Sequence, residues 1–61
     1  MIRIQRQRDT GNWTQVSTCI NPSDSILNHT MERVAKQRMT GYTGRVRAID
    51  DSGNLVNFYS A

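Results

Sequence analysis

The stretches Asp9-Thr10-Gly11-Asn12 and Asp51-Ser52-Gly53-Asn54 lie 42 positions apart in a chain of 61 residues, each flanked by sequence of extended character. Asp accepts backbone N–H bonds at the start of a turn, and Gly supplies the positive-φ position within it. The pair therefore predicts two β-hairpins with a connecting segment between them. At the same offset Arg3 matches Arg45, Ile4 matches Val46 and Val16 matches Phe58, so the apolar phase is shared along with the turns.

Residues 2–8 alternate weakly and residues 13–20 are rich in β-branched and aromatic types, which predicts a first hairpin over 2–19. Residues 45–50 and 55–60 predict a second over 45–60. The segment between them carries helix signals. Asn21 suits an N-cap, Pro22 the first helical position, and Asp24 the first turn, where a negative charge complements the macrodipole. Leu27, Met31, Val34, Ala35 and Arg38 recur at helical spacing, and Glu32 and Lys36 form a favourable i,i+4 pair. This predicts a helix over 22–39 that stops at Gly41, with Tyr42-Thr43-Gly44 as the connection. The expected fold class is α+β: a single ββαββ domain with an antiparallel four-stranded sheet and the helix packed on one face. The simplest strand order is 2-1-3-4, and 2-1-4-3 buries the same side.

Loop length decides which side chains share a face, because a one-residue slip exchanges the faces. A three-residue loop with Gly in the left-handed region pairs Ile4 with Val16, Ile2 with Thr18, Val46 with Phe58 and Ala48 with Val56. Those eight residues, less Thr18, would form the side under the helix. The opposite side would then carry Arg3, Gln5, Gln7, Trp13, Gln15, Cys19, Arg45, Arg47, Ile49, Leu55, Asn57 and Tyr59, with nothing left in the chain to cover it.

A domain of this size buries only about 60% of its unfolded surface, so its stability is expected to be small. Cys19 is the sole cysteine, which excludes an internal disulfide, and no apolar run approaches the roughly 18 residues of a membrane span. Met1 leads directly into strand-like sequence without a signal-peptide core, so the expected compartment is the cytoplasm. The formal net charge is +3, and seven of the eight basic residues are Arg, whose planar fork suits carboxylate or phosphate.

No catalytic motif assembles from one His, one Cys and scattered carboxylates. Cys19 and His29 are more economically a packed thiol and a solvent-facing helical His than a nucleophile and base. Gly41 and Gly44 lack the Lys-Ser/Thr of a phosphate loop. The expectation is a non-enzyme with no cofactor and no metal. The open face is the candidate site: Trp13, Tyr59, Arg45, Arg47, Arg3, Gln15 and Leu55. Trp, Tyr and Arg dominate protein-interface hot spots, which favours a protein partner. Arg with Trp and Tyr is also compatible with stacked single-stranded nucleic acid, although the RNP consensus is absent. Burial of the face in a homodimer is a third use.

Three local patterns, Gly11-Asn12-Trp13-Thr14-Gln15-Val16-Ser17, the Arg-containing helix before a Gly-ended turn, and Arg45-Val46-Arg47-Ala48-Ile49-Asp50 with Ser52-Gly53-Asn54-Leu55-Val56, resemble the small accessory proteins encoded by bacteriophages and prophages. The resemblance implies a compact protein of a bacterial cytoplasm that binds and modulates or inhibits a host protein. It transfers no site residue, because no defining motif goes with it.

Overall fold

The computed structural model describes residues 1–61. Strands β1 (Ile2–Arg8) and β2 (Trp13–Cys19) form the first hairpin, helix α1 (Asp24–Lys36) follows, and β3 (Tyr42–Ile49) and β4 (Leu55–Ser60) form the second. The four strands make one antiparallel sheet in the order β2-β1-β3-β4. This is the ββαββ α+β architecture and the simpler of the two orders expected from the sequence.

Both hairpins close over short loops, but the carboxylates expected to accept at the turn starts do not: the Asp9 carboxylate takes no backbone N–H, and in the second turn the acceptor is Asp50 Oδ1, one residue earlier, while Asp51 Oδ2 meets the Met1 amino group. Arg8 N–H donates to Asn12 O at 2.7 Å and Asp50 N–H to Asn54 O at 3.0 Å, leaving three residues in each loop. Gly11 and Gly53 occupy positive φ, +96° and +82°, a region costly for a residue with Cβ.

The expected pairings nevertheless hold only next to the turns. In the first hairpin Gln5 lies opposite Gln15, but Ile4 lies opposite Ser17 and Ile2 opposite Cys19, so Val16 is an extra, bulged residue. In the second, Ile49 lies opposite Leu55, but Ala48 faces Asn57 and Val46 faces Tyr59, which makes Val56 the extra residue. A bulge shifts the register by one beyond it, and with period 2 that exchanges faces. Cys19 and Tyr59 consequently pack against the core under the helix, whereas Phe58, expected in the core, lies opposite Arg47 and is 49% exposed. Val56 is also largely exposed.

The core consists of Ile4, Val46 and Ala48 from the two central strands and Leu27, Met31, Val34 and Ala35 from the helix stripe. Arg38, expected at the end of that stripe, lies beyond the helix and is exposed. The helix also starts later than expected. Ser23, not Asn21, is the N-cap, its Oγ accepting the Ile26 N–H at 3.2 Å, while Asn21 sits at φ +44° in the preceding turn. It ends earlier too, at Lys36, well before Gly41, and Tyr42-Thr43-Gly44 belong to β3 rather than to a connection.

Arg6 supplies a physical reason for the early stop. It projects from the helix-facing side of β1 and is 4% exposed. Its Nη1 donates to Val34 O (2.6 Å) and Gln37 O (2.8 Å), its Nη2 to Ala35 O (3.2 Å) and its Nε to Thr43 O (2.7 Å). The last carbonyls of a helix have no intrahelical partner and carry its negative dipole end. A guanidinium, with five donors in a fixed fork, meets both needs. No carboxylate is paired with this buried cation.

Candidate functional site

The side of the sheet away from the helix is set by strand alternation. Arg3, Gln5 and Gln7 of β1 point there because Ile2, Ile4 and Arg6 point to the helix. Arg45, Arg47 and Ile49 of β3 do so because Val46 and Ala48 are core. Across the strands, Thr18, Arg3, Ile49 and Leu55 form one row, and Gln15, Gln5, Arg47 and Phe58 the next.

Arg47 is the centre of this surface. Its guanidinium lies over the Trp13 ring, 4.3 Å from the centroid, and its Nε donates to Gln5 Oε1 at 2.7 Å. The ring quadrupole attracts the cation and the amide fixes its rotation, so the fork is held in one orientation. The side chain crosses β1 to reach Trp13, and its neighbour on the other side, Phe58, is exposed. Leu55, at the end of the adjacent row, is 61% exposed. Arg3 is half-buried between Thr18 and Ile49. Its Nη2 approaches Asp50 O at 3.4 Å, and its Nε is buried without an acceptor. Arg45 is exposed.

Of the expected site residues, the fold brings Trp13, Arg47, Arg3, Arg45, Gln15 and Leu55 to one face. Tyr59 is the exception: the bulge at Val56 turns it toward the helix, where it borders Asn28, Met31 and Glu32. Asn57 moves with it and bonds Asn28. Phe58 takes the exposed aromatic position. A regular three-residue hairpin gives no hint of that exchange, because the bulge lies downstream of the turn chemistry.

Asn54 N–H, donating to Asp50 Oδ1 at 2.8 Å, is the main reason the Asp50 carboxyl is held below its ordinary pKa, and Ser52 N–H assists at 2.9 Å. The hydrogen bond from Lys36, at 2.7 Å, and its charge lower the pKa of Glu32, while the same contact raises that of Lys36. These groups belong to a turn and a helix surface.

Cys19 is half-buried against the core and His29 is exposed on the helix, and neither lines any of the three surface depressions. No three His, Cys, Asp or Glu side chains converge in a geometry that could hold a metal ion. No helix is long and apolar enough to cross a membrane. The chain matches no protein-family model, no curated protein and no solved structure.

Proposed function

We propose that the protein is a small non-enzymatic binding protein, of the kind bacteriophages use as accessory factors, which docks on a host protein through the open face of its sheet. The observation that supports this reading most directly is one arrangement: two exposed apolar side chains, Leu55 and Phe58, share a face with an arginine already fixed on a tryptophan. Contact with a partner covers the apolar pair, and the ordered Arg47–Trp13 unit enters the interface with little rotamer entropy left to lose.

One feature favours a second reading, binding of single-stranded nucleic acid: the four strands contain no Asp or Glu, so the charge on the sheet is uniformly positive. Two features weigh against it. One side of the Trp13 ring is taken by Arg47, and Tyr59 faces the helix, so few aromatic surfaces are free for bases.

The test is affinity capture from a bacterial host lysate with the wild type and with the Trp13→Ala/Arg47→Ala double variant, circular dichroism verifying that the variant is folded. A partner held by the wild type and lost by the variant is the expected result. A partner retained equally by both removes the open face as the site.

A further inference from the structure

The chain has seven arginines and five carboxylate side chains, yet no Arg is ion-paired. The two ion pairs are the Met1 amino group with Asp51 (2.8 Å) and Lys36 with Glu32 (2.7 Å). Every side-chain carboxylate lies in a turn or on the helix: Asp9, Asp50 and Asp51 in the hairpin loops, Asp24 and Glu32 on α1. Asp50, nearest in sequence to the open face, is engaged by the Ser52 and Asn54 N–H groups of its own loop. The open face therefore carries Arg3, Arg45 and Arg47 with no balancing charge among its strand residues.

The guanidinium groups are also poised rather than satisfied. Arg47 is oriented by Trp13 and Gln5, while its Nη1 and Nη2 have no acceptor in the protein. The Arg45 side chain makes no hydrogen bond, and Arg3 makes only the 3.4 Å contact to Asp50 O. Arg45 and Arg47 are two residues apart on one strand, so their Cα atoms are separated by about 7 Å, the spacing of same-face residues on an extended segment. An Arg fork with a free outer edge fits a carboxylate bidentately.

From this surface we infer the chemistry of the occupant: an acidic protein segment whose carboxylates pair with Arg45 and Arg47 while its apolar side chains cover Leu55 and Phe58. The inference rests on the protein-binding reading above and adds the character of the partner. Nucleic acid shares the charge, but a base stacking over the Arg47-covered side of Trp13 has to displace that arginine. A second copy of this chain brings the same three arginines against themselves, and like charges across an interface are costly.

The test uses defined probes: a short peptide of repeating Glu-Glu-Leu, its Lys-Lys-Leu counterpart, and an oligothymidylate matched in charge to the acidic peptide. Each is titrated into the labelled protein by NMR at low and moderate salt. The acidic peptide is expected to shift resonances of Arg47, Trp13, Leu55 and Phe58, to weaken with salt, and to lose at least about tenfold in affinity with Arg45→Glu/Arg47→Glu. The basic peptide is expected not to bind. Tighter binding of the oligothymidylate with quenching of Trp13 overturns the inference in favour of nucleic acid, and a dimer in light scattering that hides these resonances overturns it in favour of self-association. Unchanged acidic-peptide affinity in the charge-reversed variant, or no binding at low salt, also overturns it. The same variants applied to the captured host partner separate the two levels. Loss with Leu55→Ser/Phe58→Ser but not with Arg45→Glu/Arg47→Glu leaves the face as the docking site and removes its acidic occupant. Insensitivity to both removes the face itself.

Discussion

The Arg47 guanidinium lies 4.3 Å from the centre of the Trp13 ring although their strands, β3 and β2, are not paired and β1 runs between them. The contact ties one hairpin to the other on the side away from the helix. Arg47→Ala is expected to cost about 0.5–1 kcal/mol of stability, the value of a partly exposed cation–π pair, and to shift Trp13 fluorescence to the red. Urea titration followed by emission reads both effects. An unchanged spectrum contradicts the contact.

Arg6 carries the opposite side of the sheet. Replacing it by Leu keeps an apolar side chain at the buried position but leaves the carbonyls of Val34, Ala35, Gln37 and Thr43 without their donor. The expected loss is about 2–4 kcal/mol, from orphaned buried acceptors and a removed helix cap. That is a large share of what so small a domain holds. Arg6→Lys keeps the charge but not the fork, and is expected to fall between the two. Denaturant unfolding ranks the three proteins, and equal stability of Arg6→Leu and wild type would falsify the capping role.

The acid limb of stability is expected to depend on Asp50. Its folded pKa lies below the ordinary value near 3.8, so the ionised form is the one the fold favours. Its contribution is complete above the ordinary value and is lost as pH falls through the folded pKa. Glu32, lowered from 4.5 chiefly by its hydrogen bond with Lys36, behaves in the same sense. Lys36 is raised from 10.5, so its contribution is present below that value and disappears as pH rises through the folded pKa. Urea midpoints measured from pH 4.5 downward should fall for the wild type and fall less for Asp50→Asn. Parallel curves would show that Asp50 does not contribute.

Gly53 sits at φ +82° with no atom near the position a Cβ would take, so backbone strain is the only obstacle to a side chain there. Gly53→Ala is expected to cost about 1–2 kcal/mol, and Gly53→Asn less, since Asn tolerates the left-handed region. Thermal unfolding should place the midpoints in the order Gly, Asn, Ala. Ala equal to Gly would mean that the loop rebuilds.

The turns, the two hairpins, the helix and its buried stripe were legible because each rests on local chemistry: Gly at fixed offsets, and apolar residues at helical spacing; the carboxylate that caps the second turn, Asp50 rather than Asp51, was not. The bulges at Val16 and Val56 were not, because nothing in either strand's own sequence marks where a partner strand will skip a residue. Their consequence is specific. Phe58 and Tyr59 exchange faces, and with them the aromatic content of the candidate site. Arg6 was also illegible. An arginine in an alternating strand looks like a surface residue, and the carbonyls that accept it lie about thirty positions away on a helix end whose location only the tertiary fold decides.

The open sheet face as the docking surface is tested most directly by binding of the captured partner to two charge-matched variants, one on each side of the molecule. Arg47→Glu, beside Trp13 and Phe58, should weaken binding at least about tenfold, whereas Arg33→Glu, exposed on the helix, should leave it unchanged. Full affinity in Arg47→Glu together with loss in Arg33→Glu would place the interface on the helix and contradict the proposal.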